Sequence, residues 1–221
     1  MLAPRLERPW LAVDLGAPCR VLSFAPHRPG FVTTDRILWR EVRNADLTPD
    51  LDVGTWVAAE MAGRGAAGAV GLLTSHDIGR FQRVEAAVDG LRAAAVATVG
   101  LGNGERVGMR HDRSPPGYGT INIAVQLAGP PGWGLSDIAL LEALTIAAEA
   151  RTLAVIEAGL SLPRGLATGT GTDCLVIAAP PGDTPYCGLH TAQAEALGAA
   201  VHTAVAAGAA DWCARYGTNL T

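Results

Sequence analysis

Residues 167–179 read ATGTGTDCLVIAA, and this stretch sets the fold class. Its second half, 173–179, is an apolar, β-branched run of strand length that stops at Pro180, the pattern of a buried strand. Its first half alternates threonine with glycine. If that part is extended, the hydroxyls of Thr168, Thr170 and Thr172 project to one side, about 6 to 7 Å apart. Gly169 and Gly171 would then leave backbone amides open to a ligand. An edge strand or bulge softened by glycine fits the same residues.

Working outward, residues 180–188 form a loop and an alanine-rich helix follows over about 191–215, with Thr191 as a candidate N-cap. On the other side, Ser136 caps a helix expected to bury Ile138, Leu141, Leu144, Ala148 and Ile156 as one stripe, ending by Pro163. Before the turn at 129–134 (GPPGWG), short apolar segments at 10–15, 21–25, 36–42, 69–74, 94–99 and 120–127 read as strands. A short helix is expected at 55–63, and loops at 26–30, 100–104 and 114–119. The expectation is an α+β fold in a single domain spanning 1–221. Its mixed β-sheet is formed largely by the N-terminal two thirds and covered by two long helices of the C-terminal half.

Composition narrows the function. With 221 residues, 49% hydrophobic and 17% charged, the chain can bury a substantial core. The net charge of −4 is scattered, so nucleic acid is not an expected partner. All 17 basic residues are arginine. Without lysine there is no Walker-type phosphate loop, no Schiff base and no serine–lysine dyad. Cys19, Cys174, Cys187 and Cys213 lack CxxC spacing and read as free thiols. With no signal segment and no uninterrupted apolar run of about 18 residues, a cytoplasmic protein without a membrane partner is expected. No HExxH or comparable spacing occurs, so no protein-bound metal is expected.

Seven short motifs then follow one another along the chain: VLSFAP (21–26), GLLTS (71–75), VGLGNG (99–104), GTINIAV (119–125), EART (149–152), ATGTGTD (167–173) and YCGLHT (186–191). In this order they resemble the adenosylcobinamide amidohydrolases of corrinoid salvage. The resemblance implies a small-molecule corrinoid substrate whose amide is hydrolysed to adenosylcobyric acid and 1-amino-2-propanol. It implies no cofactor bound by the protein, the cobalt being carried by the substrate. A homo-oligomeric state is left open. The sequence departs from the family pattern at Leu189, where a basic residue is common, at Phe24, where a small one is usual, and at Gly102 and Gly104 around Asn103.

Within those motifs, Asp173 or His190 is the expected water-activating base. Asp173 opens an apolar strand, where desolvation favours the protonated acid, though a turn-capping aspartate fits as well. Thr172 and the amides of 170–172 are expected to stabilise the oxyanion, and Asn122 to orient the amide or else tie strands together. Ser23, Thr74, Asn103, Thr120, Glu149, Thr168, Gly169, Thr170 and Gly171 are the expected substrate contacts. His76–Asp77 and His111–Asp112 read as loop residues, and His202 as a packing residue. Two alternatives stay open: a non-catalytic corrinoid-binding or escort protein, and an amidase with Thr120 as nucleophile acting on another substrate.

Overall fold

A computed structural model of the chain describes residues 1–43, 46–48, 50–110 and 118–220. His111, Asp112 and most of the expected 114–119 connection lie outside the described residues. The fold is α+β. Strands β1 (Ala3–Glu7), β2 (Trp10–Ser23), β3 (Gly30–Glu41), β4 (Val70–Thr74), β5 (Gln82–Val88), β6 (Leu91–Val99), β8 (Ile121–Ala128) and β12 (Cys174–Ala179) build one mixed sheet. Its order is β4-β3-β2-β12-β8-β6-β5, with β1 on the free part of the β2 edge. Among the described residues, four two-residue strands lie outside it: β7 (Gly104–Glu105), β9 (Ser161–Leu162), β10 (Gly165–Leu166) and β11 (Gly169–Thr170). The helices are α1 (Val53–Gly63), α2 (Asp137–Glu157) and α3 (Ala192–Tyr216).

β12 lies parallel to β8 and antiparallel to β2, with Val176 opposite both Ala124 and Ser23. The two segments expected at 10–15 and 21–25 are one 14-residue strand. They are separated by a register shift between Asp14 and Cys19. Gly16 has φ +78°, and the Asp14 carboxylate accepts from its N–H at 2.6 Å. Pro18 has no N–H to place in the ladder, so an exposed bulge is where it fits. Upstream of the bulge β2 pairs with β1, and downstream with β12, on the same edge.

Both faces of the sheet are buried. On the outer face Ile121, Ile123, Val125, Leu175 and Ile177 pack against the alanine-rich sides of α2 and α3, which include Ala143, Ala147, Ala200 and Ala204. α1, capped by Asp52 through the Thr55 N–H, brings Val57 and Met61 onto Trp10 and Leu38. The other face closes on itself: Val96, Ala124 and Val176 meet Leu11, Val13, Ile37, Trp39 and Leu72. Polar side chains of β8 bridge this concavity. Gln126 Nε2 donates to the Leu15 carbonyl at 2.8 Å, and Asn122 Nδ2 to that of Leu73 at 2.6 Å.

Two expectations need correction. α2 turns out Ile138, Leu141 and Ile156 and buries Ala139, Leu140, Ala143, Ile146 and Ala147, with Leu144 and Ala148 at the margin. Close approach to the sheet favours small side chains, so the buried face is the one on which Ala139, Ala143 and Ala147 accompany Leu140 and Ile146. β5 was not expected because Arg83 and Glu85 break its apolar pattern; they form an ion pair on its exposed side. Leu140→Ala should therefore cost about 2 to 5 kcal/mol. Ile138→Ala should stay within about 0.5 kcal/mol. Urea unfolding of the two variants distinguishes this face from the one expected from periodicity.

Candidate active site

The residues of the TGTGTD run fold back on themselves. Asp173 turns its carboxylate inward, where four donors meet it. Oδ1 accepts from the Ile121 N–H at 3.0 Å and from the Thr170 hydroxyl. Oδ2 accepts from the Thr170 N–H at 3.0 Å and from the Arg151 guanidinium of α2. The pair is nearly buried, with side-chain exposures of 8% for Asp173 and 17% for Arg151. Each carboxylate oxygen thus holds two donors. Burial lowers the Arg151 pKa from its ordinary value, and its Nε finds no acceptor among the described residues.

This pair explains the glycines. A Cβ on residue 169 would lie 2.6 Å from Asp173 Oδ2 and closer still to Arg151 Nη1. A Cβ on residue 171 would come within 3.0 Å of Asn103 Nδ2. The run is not extended throughout, so the row of hydroxyls that depended on it is not formed, and a short strand containing glycine stands there instead. Only Gly169–Thr170 pair, with β7, and the chain then turns. Each threonine reaches a different segment: Thr168 Oγ1 accepts from Val107 N–H at 2.8 Å, Thr170 bonds Asp173, and Thr172 Oγ1 donates to the Gly119 carbonyl at 3.1 Å.

Beside the turn, where β8 and β12 begin and β4 ends, lies a cleft of about 380 Å³. Its floor is polar. Thr120 Oγ1 donates to the Thr172 carbonyl at 2.8 Å and lies 3.1 Å from Asn122 Oδ1. Thr74 Oγ1, also on the cleft wall, accepts from the His76 N–H at 3.1 Å. The rim is apolar and aromatic, with Phe24 and Tyr118 53% and 58% exposed, beside Val42, Leu47 and Leu73. Cys174 opens onto the cleft, but burial pushes its thiol up to about 12, so it carries its proton at neutral pH. A second cavity of about 330 Å³ adjoins the first and shares Ser75, Tyr118 and Gly119 with it. Among its other lining residues are His76, Trp212 and Tyr216.

The structure therefore brings Asp173, Thr172, Asn122, Thr120, Thr74 and Asn103 to one cleft. Ser23 is buried one residue before the rim residue Phe24, its Oγ accepting from the Ala25 N–H at 3.4 Å. Thr168, Gly169, Thr170 and Gly171 are not among the cleft's lining residues. Glu149 is exposed, about 200° around α2 from Arg151. His190 is also exposed, just before the Thr191 cap of α3. Trp212, near the other end of that helix, faces the second cavity, so roughly 33 Å of helix separates His190 from that cavity. Leu189, in place of the usual basic residue, is exposed there too. Arg151, the aromatic rim and His76 were not anticipated. Arg151 lay within the EART motif, whereas exposed aromatics beside glycine-rich loops were the available signal for the rim.

A family model described as adenosylcobinamide amidohydrolase matches residues 3–217, from the first strand through the last helix. The chain belongs to the adenosylcobinamide amidohydrolase family. A comparison with curated proteins finds no match. Within the family's matched span lie both the Asp173–Arg151 pair and the whole described cleft. Among the described residues, no three His, Cys, Asp or Glu side chains form a metal-ligating group, and no helix is long and apolar enough to cross a membrane. His202 pairs with Glu157 of α2 at 2.6 Å. Because removing one partner leaves the other charge buried and unpaired, Asp173→Ala should lose about 3 to 5 kcal/mol of stability, measurable by chemical denaturation.

Proposed function

We propose that this cleft hydrolyses the amide joining the aminopropanol arm of adenosylcobinamide to its corrin ring. The products are adenosylcobyric acid and 1-amino-2-propanol, and the role is recovery of incomplete corrinoids for cobalamin synthesis in the cytoplasm. The observation that carries this reading is the combination of a small polar floor with an exposed aromatic rim. A cleft of about 380 Å³ suits an arm entering end-on, while Phe24, Leu47 and Tyr118 offer apolar surface to the larger ring outside. The cobalt arrives and leaves with the substrate.

In this reading Asn122 and Thr120 face the scissile amide. Asn122 uses one amide hydrogen on the Leu73 carbonyl, leaving the other to meet the carbonyl oxygen as it gains charge. Enzymes lower barriers by about 8 to 23 kcal/mol. One such donor is worth about 2.7 to 4 kcal/mol. The remainder is shared between proton transfer and the hold of the rim on the ring, which fixes the arm in place. Asp173, with both oxygens doubly occupied, is assigned the positioning of Ile121 and Thr170 rather than proton abstraction. His190, Leu189 and Glu149 take no part at this cleft. A Thr120 nucleophile is less well supported. Its hydroxyl is directed at the Thr172 carbonyl, and no imidazole or carboxylate among the described residues is its hydrogen-bond partner.

Incubation of the purified protein with adenosylcobinamide, followed by mass analysis, should show loss of the aminopropanol arm. Intact corrinoid after long incubation with folded, corrinoid-binding protein would leave the binding or escort function instead. Asn122→Ala should lower kcat about 10²- to 10³-fold. Turnover unchanged in that variant would remove Asn122 from the oxyanion site.

A further inference from the structure

Amide hydrolysis needs a group that takes a proton from water and returns one to the leaving amine. Among the described residues, the groups nearest the cleft floor do not supply it. Asp173 accepts four hydrogen bonds, and Cys174 holds its proton. Arg43 at the rim has no lone pair to offer.

His76 stands in a different position. It follows Thr74 and Ser75, both on the cleft wall, and its backbone N–H is fixed by the Thr74 hydroxyl at 3.1 Å. His76 lines the second cavity, which meets the first along Ser75, Tyr118 and Gly119. The partition between them is thin on the glycine side. Gly100 donates its N–H to the Thr120 carbonyl at 3.0 Å, and a Cβ on it would lie 3.3 Å from the His76 Cβ, so only this glycine's backbone stands between His76 and the floor residue. We propose, on the amide-hydrolysis reading above, that His76 is the general base and acid of the cleft, holding the attacking water where the side cavity opens onto the cleft at Ser75, Tyr118 and Gly119.

The step balances without a further reactant. Imidazole takes a proton from water as the water oxygen bonds to the amide carbon. The tetrahedral intermediate then collapses, the C–N bond breaks, and imidazolium returns the proton to the departing nitrogen. A carboxylic acid and an amine result from one amide and one water.

The surroundings keep the imidazole neutral and ready to accept. Burial is the largest influence lowering its pKa, aided by Arg215 and Arg80 and opposed by Asp77 and Asp211. These charges face it from the turn that follows and from α3, and they are largely paired with one another. Arg80 meets Asp211 at 3.1 Å, Arg215 meets Asp211 at 2.6 Å, and Asp77 is held by Arg8 and by the Gly79 N–H at 2.8 Å. Tyr118, Trp212 and Tyr216 complete the cavity wall.

The test is steady-state kinetics on adenosylcobinamide across pH for the wild type, His76→Gln and His76→Ala. Wild-type kcat should fall on the acid side, at a pH below the ordinary histidine range, as the base becomes protonated. Both variants should lose about 10²- to 10⁴-fold in kcat and also lose that acid limb. Their KM should stay within about threefold, since ring binding is untouched. Added imidazole, entering the space vacated in His76→Ala, should restore activity. Variants with kcat near wild type and the acid limb intact overturn the proposal. So does a kcat loss in His76→Ala that imidazole does not restore while corrinoid binding persists. A wild type that binds adenosylcobinamide and leaves it intact overturns the amidase reading as well. Full turnover in both wild type and variants overturns the base alone.

Discussion

The Asp173 carboxylate is the constraint on which the site depends. A buried charge is tolerated only when it is paired and hydrogen-bonded, and here every acceptor position is filled. One bond reaches the first N–H of β8, two reach Thr170 of β11, and one reaches Arg151 of α2. The ion pair needs space, which explains why residue 169 has no side chain. It also needs a cation at residue 151 on the helix face turned toward the sheet. Three segments distant in sequence are thereby held at fixed separation. Thr120 and Asn122, on either side of Ile121, take their places from that.

The sheet supports the same arrangement from the other direction. β8 carries apolar side chains on its outer face and Asn122, Ala124 and Gln126 on its inner face. The two amides cross the concavity to carbonyls of β2 and β4, so the curled sheet is closed by hydrogen bonds as well as by packing. Asn122 thus joins both readings that its sequence context allowed. One amide hydrogen ties strands, and its side chain still lines the cleft. The alanine-rich faces of α2 and α3 let the helices lie close to the strands, which brings Arg151 near enough to reach Asp173.

Much of the fold was legible where local pattern and tertiary demand coincide. The run 174–179 is buried on both faces, so an unbroken apolar segment describes it correctly. Ser136 and Thr191 cap their helices as their residue types indicate, each accepting from the N–H three residues on. Periodicity failed on α2 because it weights bulk, whereas the contact selects small residues. It failed on residues 168–172 because the partners of those threonines lie up to 63 residues away, at Glu105 and Gly119, which alternation does not encode. The site divided in the same way. Thr74, Asn103, Thr120, Asn122, Thr172 and Asp173 meet, yet His190 and Glu149 come from motifs of equal standing and lie elsewhere, since motif order carries no spatial information. His76 is the loop residue its context indicates, but its place in the cavity wall was not legible, because its neighbours there are Gly100, Gly102, Tyr118, Gly119 and the α3 residues Trp212 and Tyr216.

The most direct measurement of this account is the structure of the protein with adenosylcobinamide bound, obtained under conditions that slow turnover. The account predicts the aminopropanol amide within hydrogen-bond distance of Asn122 or Thr120, with the corrin ring across Phe24 and Tyr118. A corrinoid seated instead at the opposite end of the sheet, against His190 and Leu189, would contradict it.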